Sequence, residues 1–106
     1  MKQGHQCHSA LSRFGEPAVL ILLALSSRPM HGYAMMVCIE TDLGFKLGPG
    51  TLYGAIAKLV KLGLIRAIER EDRARPYEIT AEGALALAEF IRLWEPAIRF
   101  GKARLA

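Results

Sequence analysis

Hydrophobic and polar positions along this chain fall into four stretches of helical character and one of strand character. The first, EPAVLILLALSS from residue 16, is almost wholly apolar, so periodicity alone cannot separate a helix from a buried strand. Its length and its Leu and Ala content favour a helix, which Ser26, Arg28 and Pro29 end. Residues 31–43 predict a second helix, with Tyr33, Met36, Val37 and Glu40 spaced around it and Gly44 as a left-handed stop. Residues 46–65, KLGPGTLYGAIAKLVKLGLI, predict a third, started by Gly48 and Pro49 and ended by Gly63. On one side of it Leu52, Ile56, Leu59 and Val60 are expected to be buried; on the other stand Thr51, Tyr53, Gly54, Lys58 and Lys61.

After Gly63 the pattern changes. LIRAIER is rich in branched residues, EDRA reads as a turn, and RPYEIT sets Tyr77 and Ile79 on one face with Glu78 on the other, which predicts a hairpin. Thr80 can cap a final helix, with Glu82 in its first turn against the helix dipole. The element order α-α-α-β-β-α describes a mainly α fold with a small β-hairpin, a winged helix-turn-helix followed by a C-terminal helix. Residues 1–14 lack periodicity and read as a flexible arm, 15–80 as the winged helix-turn-helix, and 81–106 as a C-terminal dimerisation helix.

That last helix carries more apolar surface than one small domain covers. Ala84, Leu87, Ile91, Trp94, Ile98, Gly101 and Leu105 recur in steps of three and four, and Leu85, Phe90, Leu93, Ala97 and Phe100 widen the stripe. Each Leu or Ile fully buried is worth about 1.5–3 kcal/mol, so a second subunit is the expected cover. Pro96 cannot donate to the Arg92 carbonyl, and a kink or break is expected there.

Length and composition narrow the classes. A chain of 106 residues fits one domain, and 52% hydrophobic residues exclude disorder over most of it. The longest apolar run, residues 18–25, is far short of a membrane span, and no secretory leader pattern opens the chain, so a soluble cytoplasmic protein is expected. Net charge is +4, and its placement matters more than its total. Residues 58–75 hold six cations (Lys58, Lys61, Arg66, Arg70, Arg73, Arg75) against three acids, whereas residues 32–44 hold none against two. Cys7 and Cys38 read as free thiols. His5, Cys7 and His8 have metal-ligand chemistry but form an incomplete set, so no metal and no cofactor is expected. No nucleophile elbow, carboxylate pair or phosphate-cradling loop joined to a strand is present, and the chain does not read as an enzyme.

Three motifs, RPMHGYAMM at residues 28–36, LGPGTLYGAIAKLVKLGLI at 47–65 and RPYEITAEG at 75–83, resemble the PadR family of winged-helix transcriptional regulators over roughly residues 16–105. With one C-terminal helix, the chain is similar to the family's compact branch. The resemblance implies a homodimer, usually a repressor, that binds pseudo-palindromic double-stranded promoter DNA and releases it when a small effector arrives. It further implies DNA-backbone contacts from Thr51 and Tyr53, close approach at Gly54, phosphate or base contacts from Lys58 and Lys61, and a basic wing of Arg73, Arg75 and Tyr77. Ala74 stands where a third wing cation is common, and Glu71 and Asp72 precede it, which bears on the strength of the wing contact rather than its existence.

Each assignment has a plainer competitor. Tyr53 is either a half-buried ring beside Leu52 or a DNA contact, and its position around the helix favours the contact. Lys58 and Lys61 alone would read as a solvated face, but the cations of the wing favour phosphate contacts. Trp94 is a packing anchor or, as the family resemblance suggests, lines a site for a hydrophobic or aromatic effector. His31 and Tyr33 are read as turn and core contacts without a site role. The rival function is a winged-helix protein-interaction module without DNA binding, and a second is a metal-responsive regulator using His5, Cys7 and His8.

Overall fold

A computed structural model of the chain describes residues 16–69 and 75–106. The proposed arm, the cluster His5, Cys7 and His8, and the hairpin tip with Arg73 lie outside the described residues. Helix α1 (Glu16–Leu25) is the hub: Ala18, Leu20, Ile21, Leu22, Ala24 and Leu25 are all buried, which is why its sequence shows no polar face. Every other helix and the second strand of the hairpin pack on it.

Helix α2 (Gly32–Cys38) continues into a π-helical turn (Ile39–Leu43). The chain is then stopped by Gly44 at φ 81°, whose N–H, like that of Phe45, donates to the Ile39 carbonyl. Widening to π geometry is accompanied by Thr41 Oγ1 donating to the Val37 carbonyl at 2.9 Å, a side-chain bond that competes with the helical ladder. The core stripe of α2 and its π turn is Gly32, Met35 and Ile39. Tyr33, expected to touch the core, is instead exposed, because it lies about 100° around the axis from Gly32, on the side away from Met35 and Ile39.

Helix α3 (Pro49–Lys61) follows with Gly48 as its cap residue and Pro49 in its first turn, and Gly63 at φ 77° reverses the chain after it. Leu52, Ile56 and Leu59 are buried, but Val60 is 41% exposed. With Leu52 as zero, Ile56 and Leu59 stand at roughly +40° and −20°, and Val60 at roughly +80°, beyond the edge of the stripe. Ala55, at roughly −60°, packs against the core on the opposite edge.

Strands β1 (Ile65–Ala67) and β2 (Tyr77–Ile79) pair antiparallel with Ile65 opposite Ile79, Arg66 opposite Glu78 and Ala67 opposite Tyr77. On the outer face Arg66 Nε donates to Glu78 Oε2 at 2.6 Å. The hairpin is tied inward by an exchange of backbone bonds between Met30 and Tyr77, at 2.8 and 3.1 Å, so a two-stranded ribbon too small to stand alone gains a third point of pairing.

Helix α4 (Ala81–Leu105) begins with Thr80 accepting from the Gly83 N–H at 3.0 Å while its hydroxyl donates to the Gly63 carbonyl at 2.7 Å. A kink or break is expected at Pro96, and the helix runs through that residue unbroken. Proline there removes one ladder bond to the Arg92 carbonyl, and Arg92 is exposed, so water can take the donor's place. Leu87 is buried, whereas Leu85, Ile91, Trp94, Ile98, Phe100 and Leu105 are exposed. None of the described helices is long and apolar enough to cross a membrane.

Candidate nucleic-acid interface

With its apolar stripe sealed against α1, helix α3 turns the rest of its circumference outward. Thr51, Tyr53, Gly54, Lys58 and Lys61 are all exposed. At 100° per residue they do not form one row. Thr51 and Lys58 occupy one flank, at roughly −100° and −120° from Leu52; Gly50, Gly54, Ala57 and Lys61 lie along the middle; Tyr53 stands on the far flank at roughly +100°. The middle strip therefore has no side chain longer than a methyl group until Lys61, in the last turn. A Cβ added at Gly50 or Gly54 meets nothing within 4 Å, so packing inside the chain does not require glycine at either place.

The two flanks have different neighbours. Thr51, Gly54 and Lys58 share a shallow cleft of about 260 Å³ with Pro17 and Ala18 at the start of α1. Tyr53 leans the other way, over Gly32 at the start of α2, and is 48% exposed. The ring thus packs over Gly32, and it is also open to solvent. No side chain caps the first turn of α3, which leaves its N–H groups open to an outside acceptor such as a phosphate. Lys58 and Lys61 sit in the last turn, where cations also favour the helix dipole.

Of the wing residues, Arg75 and Tyr77 lie among the described residues. Arg75 is exposed, its guanidinium 3.7 Å from Glu69 Oε2 in a solvent-screened pair worth at most about 1 kcal/mol, so little holds it there. Tyr77 is only partly exposed and packs against the core, with its backbone bonded to Met30. One side of Tyr77 is thus turned inward and the rest is partly open. Gly32 is the residue that sequence reading passed over. Its signal was a glycine just before Tyr33 at a helix start, with no turn there to require it.

The C-terminal helix supplies a second surface. Ile91, Trp94, Ile98 and Phe100 are exposed, Phe90 and Trp94 lie with ring centroids 6.3 Å apart, and Arg104 stacks 4.3 Å above Phe100. A groove of about 340 Å³ between α1, β2 and α4 is lined by Leu23, Ile79, Leu87 and Ile91, one turn before Trp94. Among the described residues no cluster of His, Cys, Asp or Glu is arranged to hold a metal.

Known proteins match this arrangement. The fold is similar to a PadR family transcription regulator from hypervirulent Clostridium difficile (TM-score 0.75, 22% identity, covering 87% of this chain and 100% of that one). It is also similar to a transcriptional regulator from Clostridium thermocellum (TM-score 0.70, 28% identity, 90% and 95% covered) and to a PadR-like transcriptional regulator from Bacillus cereus (TM-score 0.72, 22% identity, 83% and 89% covered). In sequence, 71 residues are 44% identical to an uncharacterised 37.1 kDa protein in transposon TN4556 of Streptomyces fradiae, a match covering 67% of this chain. The chain spans about a fifth (21%) of the length of that curated relative. Residues 21–89, from the middle of α1 to the third turn of α4, match the PadR-like family of transcriptional regulators, and the chain belongs to that family.

Proposed function

We propose that the chain is a DNA-binding transcriptional regulator that acts as a homodimer and represses by occluding a promoter. The observation that carries this reading is the outward face of α3, exposed rather than buried in the core, with small residues along its middle as far as Lys61 and with Thr51, Lys58 and Tyr53 on its flanks. Such a helix can lie deep in a major groove, with Thr51, Tyr53, Lys58 and Arg75 setting register on phosphates and Gly54 allowing close approach. Lys61 extends the basic rim, and Arg73 would add to it from the wing. Tyr77 seats the wing and offers only its partly exposed side.

Pairing through the apolar face of α4 would set two recognition helices about 34–36 Å apart, the spacing two half-sites of a pseudo-palindromic operator demand. The exposed Ile91, Trp94, Ile98 and Phe100 support that pairing. A hydrophobic or aromatic effector bound near Trp94, beside the groove at Leu87 and Ile91, would alter helix separation. It shifts the equilibrium only by its difference in affinity for the two arrangements. A regulator of this kind works in the cytoplasm, where promoter DNA is.

Footprinting on DNA upstream of its own gene tests the reading. Two protected segments whose centres lie one helical turn apart, weakening steeply with salt, are expected. Absence of salt-sensitive duplex binding would favour a protein-interaction module on the same fold.

A further inference from the structure

Glycines in the described residues fall into three groups. Gly44 and Gly63 have positive φ; Gly48, Gly50, Gly54 and Gly101 are surrounded by open space; Gly32 and Gly83 are pressed against neighbours. Gly83 abuts the Leu64 backbone. Gly32 is different, because a Cβ built on it would stand 2.5 Å from Tyr53 Oη, 2.6 Å from Cε1 and 2.7 Å from Cζ, so that its three nearest neighbours are all atoms of one ring. Its φ is not positive, so its backbone would accept alanine, which is also the better helix former. What alanine cannot share is the space under the hydroxyl end of Tyr53.

Gly32 is itself buried, and the ring above it is about half exposed. The phenol thus rests on bare backbone at the start of α2, on the flank of α3 opposite Thr51 and Lys58. An exposed tyrosine on a helix otherwise samples several rotamers, and a contact that must be made at one place on a phosphate backbone is weakened by each of them. We infer that Gly32 is a positioning residue for Tyr53: the missing side chain makes a seat that fixes the phenol hydroxyl relative to the recognition helix before DNA arrives. The inference rests on the reading of α3 as the DNA-contacting helix, and it adds a residue that itself touches no DNA. It also accounts for a glycine in the HGY motif that no turn explains.

The test uses four proteins: the parent chain, Gly32→Ala, Tyr53→Ala and the double variant. An upfield ring-current shift of the Gly32 α protons, present in the parent and lost in Tyr53→Ala, reads the seat without DNA. Titration of an operator duplex then reads its consequence. If the phenol donates to a phosphate, Tyr53→Ala loses roughly tenfold per half-site, Gly32→Ala loses about as much, and the double variant loses no more than Tyr53→Ala. Should Gly32→Ala fail to fold, the double variant must fold, since the displaced ring is gone.

Parent-like affinity of Gly32→Ala, an equal further loss when Gly32→Ala is added to Tyr53→Ala, or an unshifted Gly32 signal would each overturn the inference alone. So would a Tyr53→Ala variant that binds like the parent, or a double variant that does not fold. A parent protein without duplex affinity would overturn the reading of α3 together with it.

Discussion

Replacing Gly83 by alanine sets two effects of opposite sign against each other. Alanine in place of glycine favours a helix by about 1 kcal/mol, and less in a first turn, so propensity alone predicts a modest gain. Packing predicts the reverse. The added Cβ would collide with the Leu64 carbonyl oxygen and stand 2.9 Å from Ile79 Cγ1 and 3.0 Å from the Leu64 carbonyl carbon. Neither backbone neighbour can yield cheaply, because the Thr80 N–H donates to that same Leu64 oxygen at 3.1 Å and the Thr80 hydroxyl to the Gly63 carbonyl at 2.7 Å.

Relief requires the first turn of α4 to back away from the hairpin. Overpacking of this kind costs about 1–3 kcal/mol, and loss of the Thr80 cap and its neighbouring bond adds about 1–2 kcal/mol. Set against the propensity gain, a net loss of about 1–4 kcal/mol follows, a large share of the about 5–15 kcal/mol that holds a domain together. Urea titration read by circular dichroism should show a lower midpoint with little change in slope, and the melting temperature should fall by on the order of 5–30 °C. A Gly83→Ala variant as stable as the parent would refute the claim that close approach, rather than chance, holds glycine at this position.

Other perturbations separate the surfaces. Gly54→Ala meets no neighbour, so it should raise stability by up to about 1 kcal/mol in thermal unfolding while weakening duplex binding; a gain in both would remove Gly54 from the interface. Ile98→Glu places a charge in the exposed face of α4, and sedimentation should show a monomer with red-shifted emission from Trp94, the sole tryptophan; an unchanged assembly state would move the dimer interface elsewhere. Burial pushes the Cys38 thiol up, and its bond to Asp42 Oδ2 and the charge of that carboxylate add to the shift, against a smaller opposing effect of Arg28. The protonated form is therefore favoured, and at pH 8 a Cys7→Ser protein should be alkylated by iodoacetamide more slowly when folded than when unfolded in urea, because less of the thiol is present as thiolate. Equal rates would contradict this placing of Cys38.

Much of the fold was legible because its signals are local. Pro49 and Gly63 bound α3, Thr80 caps α4, and alternation around Glu78 sets the pairing of the hairpin, each through chemistry that acts within a few residues. The failures share a different cause. Periodicity gives an angle about a helix axis, but Val60 and Tyr33 stand at angles where only the placement of a neighbouring helix decides between core and solvent. The π turn after Cys38 depends on competing side-chain bonds, and passage through Pro96 depends on the exposure of one turn.

The geometry of the candidate site was legible to the same extent. The open face of α3 could be read from spacing, whereas the seat of Tyr53 on Gly32 and the inward tie of Tyr77 to Met30 join segments far apart in the sequence. A long-range approach of that kind leaves a trace only as a glycine or an extended pair that local structure does not require.

The claim that α3 meets the phosphates of duplex DNA is tested most directly by operator affinity measured across a salt series for the parent and for Lys61→Ala. Each phosphate contact contributes about 0.9 to the slope of log affinity against log salt, so Lys61→Ala should bind more weakly and with a slope shallower by about one unit per half-site. A Lys61→Ala protein with the parent's affinity and the parent's slope would contradict the account.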